Sequence, residues 1–211
     1  MATLRADAER NRHQLLESAR RVFAERGLDA PLDDIARRAG VGNATLYRRF
    51  PSRHDLVGAV FSDTLEQICE AARRALVAPD AWPAFAEHLT FLCALQAENR
   101  ALADLLTTRV AAPGLEALRG QALDLLVQLI DRARLAGELR ADFTHEDVVV
   151  LLMANAGLLE RTSQDAPTAW RRHLAHVLDG LRTDHPTVVA PPTREQILQA
   201  MATAASRRGC S

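Results

Sequence analysis

The chain has 211 residues, of which 48% are hydrophobic and 25% are charged, and its formal net charge is −1. That length accommodates one or two domains, and the near-neutral charge argues against a protein that coats nucleic acid over its whole surface. The overall charge does not exclude a local basic patch, because residues 1–56 contain 11 of the 26 arginines and 8 acidic residues.

The first quarter of the chain predicts three helices. Apolar residues recur at helical spacing from about residue 9 to residue 25, which indicates one amphipathic helix. Two short helices follow at about 32–39 and 43–50, separated by Gly40 and ended by Pro51. The third helix therefore follows the second after a glycine-containing turn.

Longer helical patterns fill the rest of the chain. Ser52 with Asp55, and Thr144 with Asp147, each form a capping-box pattern at the start of a helix. The predicted helices span about 52–76, 82–98, 100–108, 115–136, 144–159 and 168–182. The sequence thus predicts an all-α fold of about nine helices, with an N-terminal domain at 1–55, a second helical region at 56–183 and a disordered tail at 184–211, in which 193–205 could form a loose amphipathic helix around Ile197, Leu198 and Met201.

The segment 32–50 has the pattern of a helix-turn-helix. Ile35, Val41 and Leu46 are placed to pack the two helices together, and Gly40 allows a positive φ at the turn. The second helix of such a motif enters the major groove of DNA. The candidate DNA-binding residues are Asn43, Ala44, Thr45, Tyr47, Arg48, Arg49 and Arg53. The alternative is an ordinary helical hairpin with a solvated polar face.

Three segments, 15–27, 33–41 and 44–53, resemble the TetR family of transcriptional regulators in residue order and spacing. The resemblance implies a homodimer with a helix-turn-helix at each end, a C-terminal ligand pocket and a dimer face made by the last two helices. It also implies that Thr45 and Tyr47 contact phosphate and that Arg53 is the family's basic residue after Pro-Ser.

Two positions depart from the family pattern. Pro31 and Gly42 stand where the family usually has hydroxyl residues, so both helices of the motif lose a side-chain cap. Arg49 stands where the family often has His or Tyr, and its charge is placed to compensate for a lost phosphate contact.

The motif and the resemblance together predict that residues 1–55 are a DNA-binding domain and that the second region, residues 56–183, is a ligand-binding and dimerisation domain. The segment 148–159 is apolar nearly all round, which favours burial on two sides, whereas the alternative is a purely monomeric core. The predicted dimer interface is Leu151, Leu152, Leu158, Leu159, Trp170, Leu174 and Leu181. The candidate pocket residues are Phe85, His88, Leu89, Leu92, Gln96, Thr108, Leu125, Gln128 and Asn155.

We therefore expect a regulator, most often a repressor in this family, that a small-molecule effector releases from a palindromic double-stranded operator. An enzyme is not expected, because phosphate loops and nucleophile elbows are missing and His173 with His176 alone makes a weak metal site. We expect no cofactor and no membrane association. Three cysteines without a pairing pattern and a charged N-terminus favour the cytoplasm. The alternative function is a helical dimeric adaptor that does not bind DNA.

Overall fold

The protein is described here by a computed structural model that covers residues 2–108, 112, 114–182 and 189–207. All regular secondary structure within these residues is α-helix, which confirms the predicted fold class. The described part of the chain contains ten helices, where about nine were predicted. They are α1 Ala2–Arg26, α2 Leu32–Arg38, α3 Asn43–Arg49, α4 Arg53–Val77, α5 Ala81–Glu98, α6 Arg100–Thr107, α7 Leu115–Leu135, α8 His145–Thr162, α9 Ala169–Leu181 and α10 Arg194–Arg207.

Helices α1 to α3 and the start of α4 form the N-terminal unit. Helix α1 begins earlier than the apolar pattern predicts, and it ends where Gly27 adopts a φ of +80°. Gly40 has a φ of +69°, so the turn between α2 and α3 uses the left-handed conformation that the sequence predicts. Ile35 and Leu46 are buried and Val41 is half-buried, so these three residues pack as predicted.

Helix α4 connects the N-terminal unit to the rest of the chain. Its first turn is fixed by the predicted capping box, in which the Ser52 hydroxyl accepts from the Asp55 N–H and the Asp55 carboxylate accepts from the Ser52 N–H. The domain boundary placed at residues 55 and 56 falls within this continuous helix. A long, capped helix thus connects the two units without a flexible linker.

The remaining helices pack around α5. Helix α5 contacts α4, α6, α7 and α8, while α4 runs along α7 and α9 packs on α5 and α8. The Thr144 and Asp147 capping box at the start of α8 is present as predicted. Arg132 ties α7 to the end of α4, because its guanidinium donates to the Ala75 carbonyl at 2.9 Å and to the Ala78 carbonyl.

The tail differs from the prediction. Residues 184–211 were expected to be disordered, but 194–207 form α10, which packs against α8. Ile197 supplies the physical reason, since this apolar residue is buried against the domain and is only 8% exposed. Residues 183–188 and 208–211, including Cys210, lie outside the described residues.

Within the described residues, no helix is both long enough and apolar enough to cross a bilayer.

Candidate functional site

The outer face of α3 presents most of the residues predicted to bind DNA. Asn43, Ala44, Arg48 and Arg49 are exposed, and Tyr47, an apolar ring with a phenolic hydroxyl, is 48% exposed. Leu46 between them is 1% exposed, so the helix is anchored by its inner side. Thr45 is half-buried. The arrangement leaves a short polar helix face open to solvent, as a recognition helix that enters a DNA groove requires.

Ion pairs hold α2 against α1. Arg26 pairs with Asp34 at 2.5 Å, and Arg38 pairs with Glu25 at 2.9 Å. These pairs use two arginines of the basic N-terminal region for internal contacts, which reduces the charge available to a phosphate backbone. Arg48 makes no ion pair with any described residue.

Arg53 has an internal role that the sequence did not indicate. Its Nη1 donates to the carbonyls of Leu28 at 2.6 Å and Ala30 at 2.7 Å, in the loop between α1 and α2. A guanidinium has five N–H donors, so these bonds do not exhaust it. Contact between Arg53 and DNA stays a prediction, and the structure adds that Arg53 fixes the position of the loop before α2.

The two capping positions behave as the sequence predicts. Neither Pro31 before α2 nor Gly42 before α3 makes a side-chain capping hydrogen bond. The Asn43 amide instead donates to the Asp33 carboxylate at 2.9 Å, which links the first turn of α3 to the first turn of α2. Side chains therefore join α2 and α3 on the buried side, through Ile35 and Leu46, and on the exposed side, through Asn43 and Asp33.

A cavity of about 370 Å³ lies in the second region between α4, α5, α6, α7, α8 and α10. Its size falls within the usual range for small-molecule sites. Most of its wall is apolar, and α10 closes one side with Ile197, Leu198 and Met201. Charged residues near the wall contact one another: Arg119 lies 3.6 Å from Glu116, and His145 lies 3.0 Å from Glu146.

Three of the nine candidate pocket residues line this cavity, namely His88, Leu92 and Thr108. The other six do not. Phe85 and Leu89 are fully buried core residues, and Leu125 is a buried residue of α7. Gln128 is exposed, and its amide donates to the Asp124 carbonyl one turn earlier on α7.

Gln96 and Asn155 form a buried polar link between α5 and α8 instead of a ligand contact. The Asn155 amide donates to Gln96 Oε1 at 2.8 Å, and the Gln96 amide donates to the Leu152 carbonyl at 3.3 Å. Both side chains are at most 2% exposed. Gln96 and Asn155 therefore act as hydrogen-bonded core residues in this structure.

Sequence reasoning missed the walls that α6, α7, α8 and α10 contribute. These residues are Leu105, Leu106, Arg119, Leu123, Leu126, Glu146, Val149, Ile197 and Met201. The recurring leucines of α7 were a usable signal, since one side of that helix had to face a neighbour. The amphipathic pattern at 193–205 was a signal for α10, but its contribution to the cavity was missed because the tail was expected to be poorly ordered.

His88 is the polar group of the cavity that stands out. It is 4% exposed, and its Nδ1 is buried with no hydrogen-bond partner among the residues that the structure describes. Burial lowers the pKa of His88 from 6.5 to about 4, so the imidazole is neutral at pH 7. The Thr108 hydroxyl, by contrast, donates to the Asp104 carbonyl at 2.6 Å.

The predicted dimer residues separate into two groups. Five of them, Leu152, Leu159, Trp170, Leu174 and Leu181, are at most 8% exposed in the single chain, so they pack in its core and offer little surface to a second copy. Leu151 and Leu158 are half-buried on the other side of α8. The same outer side carries exposed Val150, Ala154 and Gly157 and meets half-buried Val177 and Leu178 of α9.

A buried hydrogen bond joins α6, one of the helices around the cavity, to the N-terminal unit. The buried Asp104 carboxylate on α6 accepts from the backbone N–H of Leu28 at 3.2 Å. A Cβ placed on Gly27 would lie 2.7 Å from Asp104 Oδ2, so the approach of α6 requires glycine there. His173 and His176 are exposed on α9, and within the described residues no group of three metal-ligating side chains is present.

Residues 15–60 match the family described as bacterial regulatory proteins, tetR family, and residues 80–183 match the C-terminal domain of SbtR-like transcriptional regulators. The TetR transcriptional regulator SCO0520 of Streptomyces coelicolor is 33% identical, with a TM-score of 0.54 over 82% of this chain and 99% of that one. FadR of Bacillus subtilis, solved with stearoyl-CoA, is 17% identical and shares the fold, with a TM-score of 0.62 over 82% of this chain and 99% of its own.

Among curated proteins, the transcriptional activator FasR of Mycolicibacterium smegmatis is 38% identical over 73 residues. That match covers 34% of this chain, and this chain spans about a third of the length of the curated relatives it matches. The similarity to FasR therefore concerns a segment about the length of the N-terminal unit.

Proposed function

The chain belongs to the TetR family of bacterial transcriptional regulators, and we propose that it is a homodimeric repressor that a small-molecule effector releases from a palindromic operator. The matched relatives are named as transcriptional regulators, which agrees with the expectation that the chain is not an enzyme. We propose that it acts in the cytoplasm, contacts DNA through α3, and represses transcription as a dimer until the effector binds.

The observation that carries DNA binding is the exposed face of α3. Tyr47 and Arg48 lie next to each other in the sequence and are both open to solvent, while Leu46 anchors the helix from behind. An aromatic hydroxyl and a guanidinium suit contacts with phosphates and base edges. Thr45, Asn43 and Ala44 complete the face, and Arg53 lies in the first turn of α4, which follows α3 in the chain.

A second copy of the chain is the proposed partner of the outer face of α8 and α9. Paired half-sites on DNA lie about 34–36 Å apart or at multiples of that distance, so a fixed dimer is needed to read both. Leu151, Leu158 and Val177 give the face its apolar character. A Cβ on Gly157 or Gly180 would meet no atom within 4 Å, so a partner helix has room for close approach.

The cavity is the proposed effector site, and α6 is the proposed connection to DNA. Leu105 and Leu106 line the cavity, and Asp104 immediately before them holds the Leu28 backbone. An effector that shifts α6 would favour a dimer whose α3 helices are wrongly spaced for successive major grooves, which is a population shift. FadR with stearoyl-CoA supports small-molecule binding in this fold.

Selection of bound DNA from a random pool tests the proposal. A homodimer of this architecture should enrich a palindromic site, and repression should follow when that site overlaps a promoter in a reporter assay. An enriched site without two-fold symmetry would contradict the dimer. No enrichment at all would contradict DNA binding and favour the adaptor. Activation of the reporter would reverse the proposed sign, as the name of FasR illustrates for a relative.

A further inference from the structure

The geometry of the cavity points to an uncharged, largely apolar effector that carries a hydroxyl or similar group and hydrogen-bonds to His88. This inference rests on the proposed effector site and specifies the chemical class of its ligand. It depends on three observations: the apolar wall, the charged residues that contact one another, and a buried imidazole nitrogen without a partner.

The wall indicates an apolar ligand body. The apolar lining includes residues that are each at most 5% exposed: Leu65 and Ile68 from α4, Leu92 from α5, Leu105 from α6 and Leu152 from α8. The volume of about 370 Å³ corresponds to roughly a dozen waters at about 30 Å³ each. A ligand of on the order of ten to fifteen non-hydrogen atoms fits such a space and gains affinity by leaving water.

The charges indicate an uncharged ligand. Glu116 lies beside Arg119, and Glu146 lies beside His145. Arg194 is exposed to solvent at the edge of the cavity. Among the described titratable residues of the wall, His88 is the most buried, at 4% exposed, and burial lowers its pKa to about 4. A charged group placed beside this neutral imidazole would leave water without an ionic partner at that residue, which is costly.

The unpartnered nitrogen indicates a polar group on the ligand. A buried polar atom without a hydrogen bond is uncommon in folded proteins and costs stability. The other polar residue deep in the wall, Thr108, already donates its hydroxyl proton to Asp104. A neutral imidazole provides one donor and one acceptor, so a ligand hydroxyl can pair with Nε2, and with Nδ1 once the surrounding wall shifts to admit it.

Three probes of the same skeleton separate the alternatives: 2-naphthol has a hydroxyl, naphthalene has no polar group, and 2-naphthoate is an anion. Binding to the full-length protein is measured by calorimetry at pH 7 without DNA, and 1-octanol with octanoate repeats the comparison on a flexible skeleton. We expect 2-naphthol to bind about three- to tenfold more tightly than naphthalene, since one hydrogen bond is gained. The anion should bind most weakly.

Variants assign the preference to the imidazole. His88→Leu should bring 2-naphthol and naphthalene within about twofold of each other, whereas His88→Gln keeps a neutral donor and acceptor and should retain the preference. Gln128→Leu, on the exposed side of α7, is the matched control and should leave the order unchanged. If a His88 variant does not fold, the order of probe affinities in the wild-type protein still tests the inference.

Three results would overturn the inference. Tightest binding of 2-naphthoate or octanoate would place an anion site at Arg119 or Arg194. A hydroxyl preference that survives His88→Leu would place the polar contact elsewhere. Failure of the naphthyl and octyl probes to bind up to their solubility limits would exclude a site of this class. Because no DNA is present, these results stand apart from operator binding, which the selection experiment decides.

Discussion

The Asp104 carboxylate accepts a hydrogen bond from the Leu28 backbone N–H at 3.2 Å, across 76 positions of sequence. Leu28 lies in the loop between α1 and α2, and Asp104 lies on α6 directly before the cavity residues Leu105 and Leu106. The same helix therefore touches the cavity and the N-terminal unit. A small displacement of α6 changes the support of the loop that precedes the helix-turn-helix.

The close approach at Gly27 leads to a stability prediction. Gly27→Ala places a methyl group 2.7 Å from Asp104 Oδ2 and also forces alanine into a left-handed conformation. Gly137→Ala, at a φ of +70° with nothing within 4 Å, carries the conformational cost alone, about 1–2 kcal/mol. Urea unfolding should show that Gly27→Ala costs at least about 1 kcal/mol more than its control.

A second pair of variants assigns the excess cost at Gly27 to the carboxylate. In an Asp104→Ala background, Gly27→Ala and Gly137→Ala should cost the same within about 0.5 kcal/mol, the usual limit for sites that do not interact. If Gly27→Ala and Gly137→Ala lower the free energy of unfolding equally in the wild-type background, the Asp104 carboxylate does not restrict residue 27.

Arg53 gives a prediction that separates structure from DNA contact. Arg53→Ala removes the donor to the Leu28 and Ala30 carbonyls and should lower the free energy of unfolding by about 1–3 kcal/mol. Arg48→Ala, on the exposed face of α3, should change it by less than about 0.5 kcal/mol. If Arg53→Ala is as stable as the wild type yet loses affinity for DNA, Arg53 acts through phosphate contact as the family resemblance implies.

The helix-turn-helix could be predicted from the sequence because its determinants are local. Gly40 marks the turn, and the spacing of Ile35 and Leu46 sets the buried side.

The dimer face could be predicted only in part. Leu151 and Leu152 are neighbours of the same residue type, yet one is half-buried outside and the other is 5% exposed in the core. Periodicity cannot separate the two sides of a helix that is apolar on both.

The cavity was harder to predict because its walls come from six helices that are distant in sequence. His88 and Gln128 both interrupt an apolar pattern, but α5 is central whereas Gln128 faces solvent on α7. That difference depends on tertiary packing, which no local pattern encodes. Asp104 was missed for the same reason, since its partner Leu28 lies in another domain of the sequence.

His88 makes the stability of the protein depend on pH. Its pKa is about 4 in the folded protein and 6.5 ordinarily, so the unfolded chain binds more protons between these values. Stability should therefore fall as the pH drops from about 6.5 to 4, by on the order of 3 kcal/mol from this residue. Unfolding curves at pH 7 and pH 4.5 measure the loss.

His88→Leu should lose less stability than the wild type over that pH interval, because it lacks the titrating group. His13→Leu changes an exposed histidine and is the control, which should follow the wild type. A wild-type pH dependence that His88→Leu leaves intact would assign the acid sensitivity to other residues.

The outer face of α8 gives a prediction about assembly. Leu158→Glu places a charge on the half-buried side that we assign to the second copy and should convert the dimer to a monomer, or weaken it by at least tenfold. Leu135→Glu, at an 89% exposed position at the end of α7, should leave the dimer intact. Sedimentation equilibrium measures both, and an undisturbed dimer in Leu158→Glu would move the interface to another surface.

Operator affinity of the Tyr47→Ala/Arg48→Ala double variant, measured across a series of salt concentrations, tests the central claim most directly. The double variant should bind the selected operator at least about tenfold more weakly and show a shallower dependence on salt, while Arg74→Ala on the exposed side of α4 binds like the wild type. Unchanged affinity together with an unchanged salt slope would contradict the assignment of α3 as the DNA-reading helix.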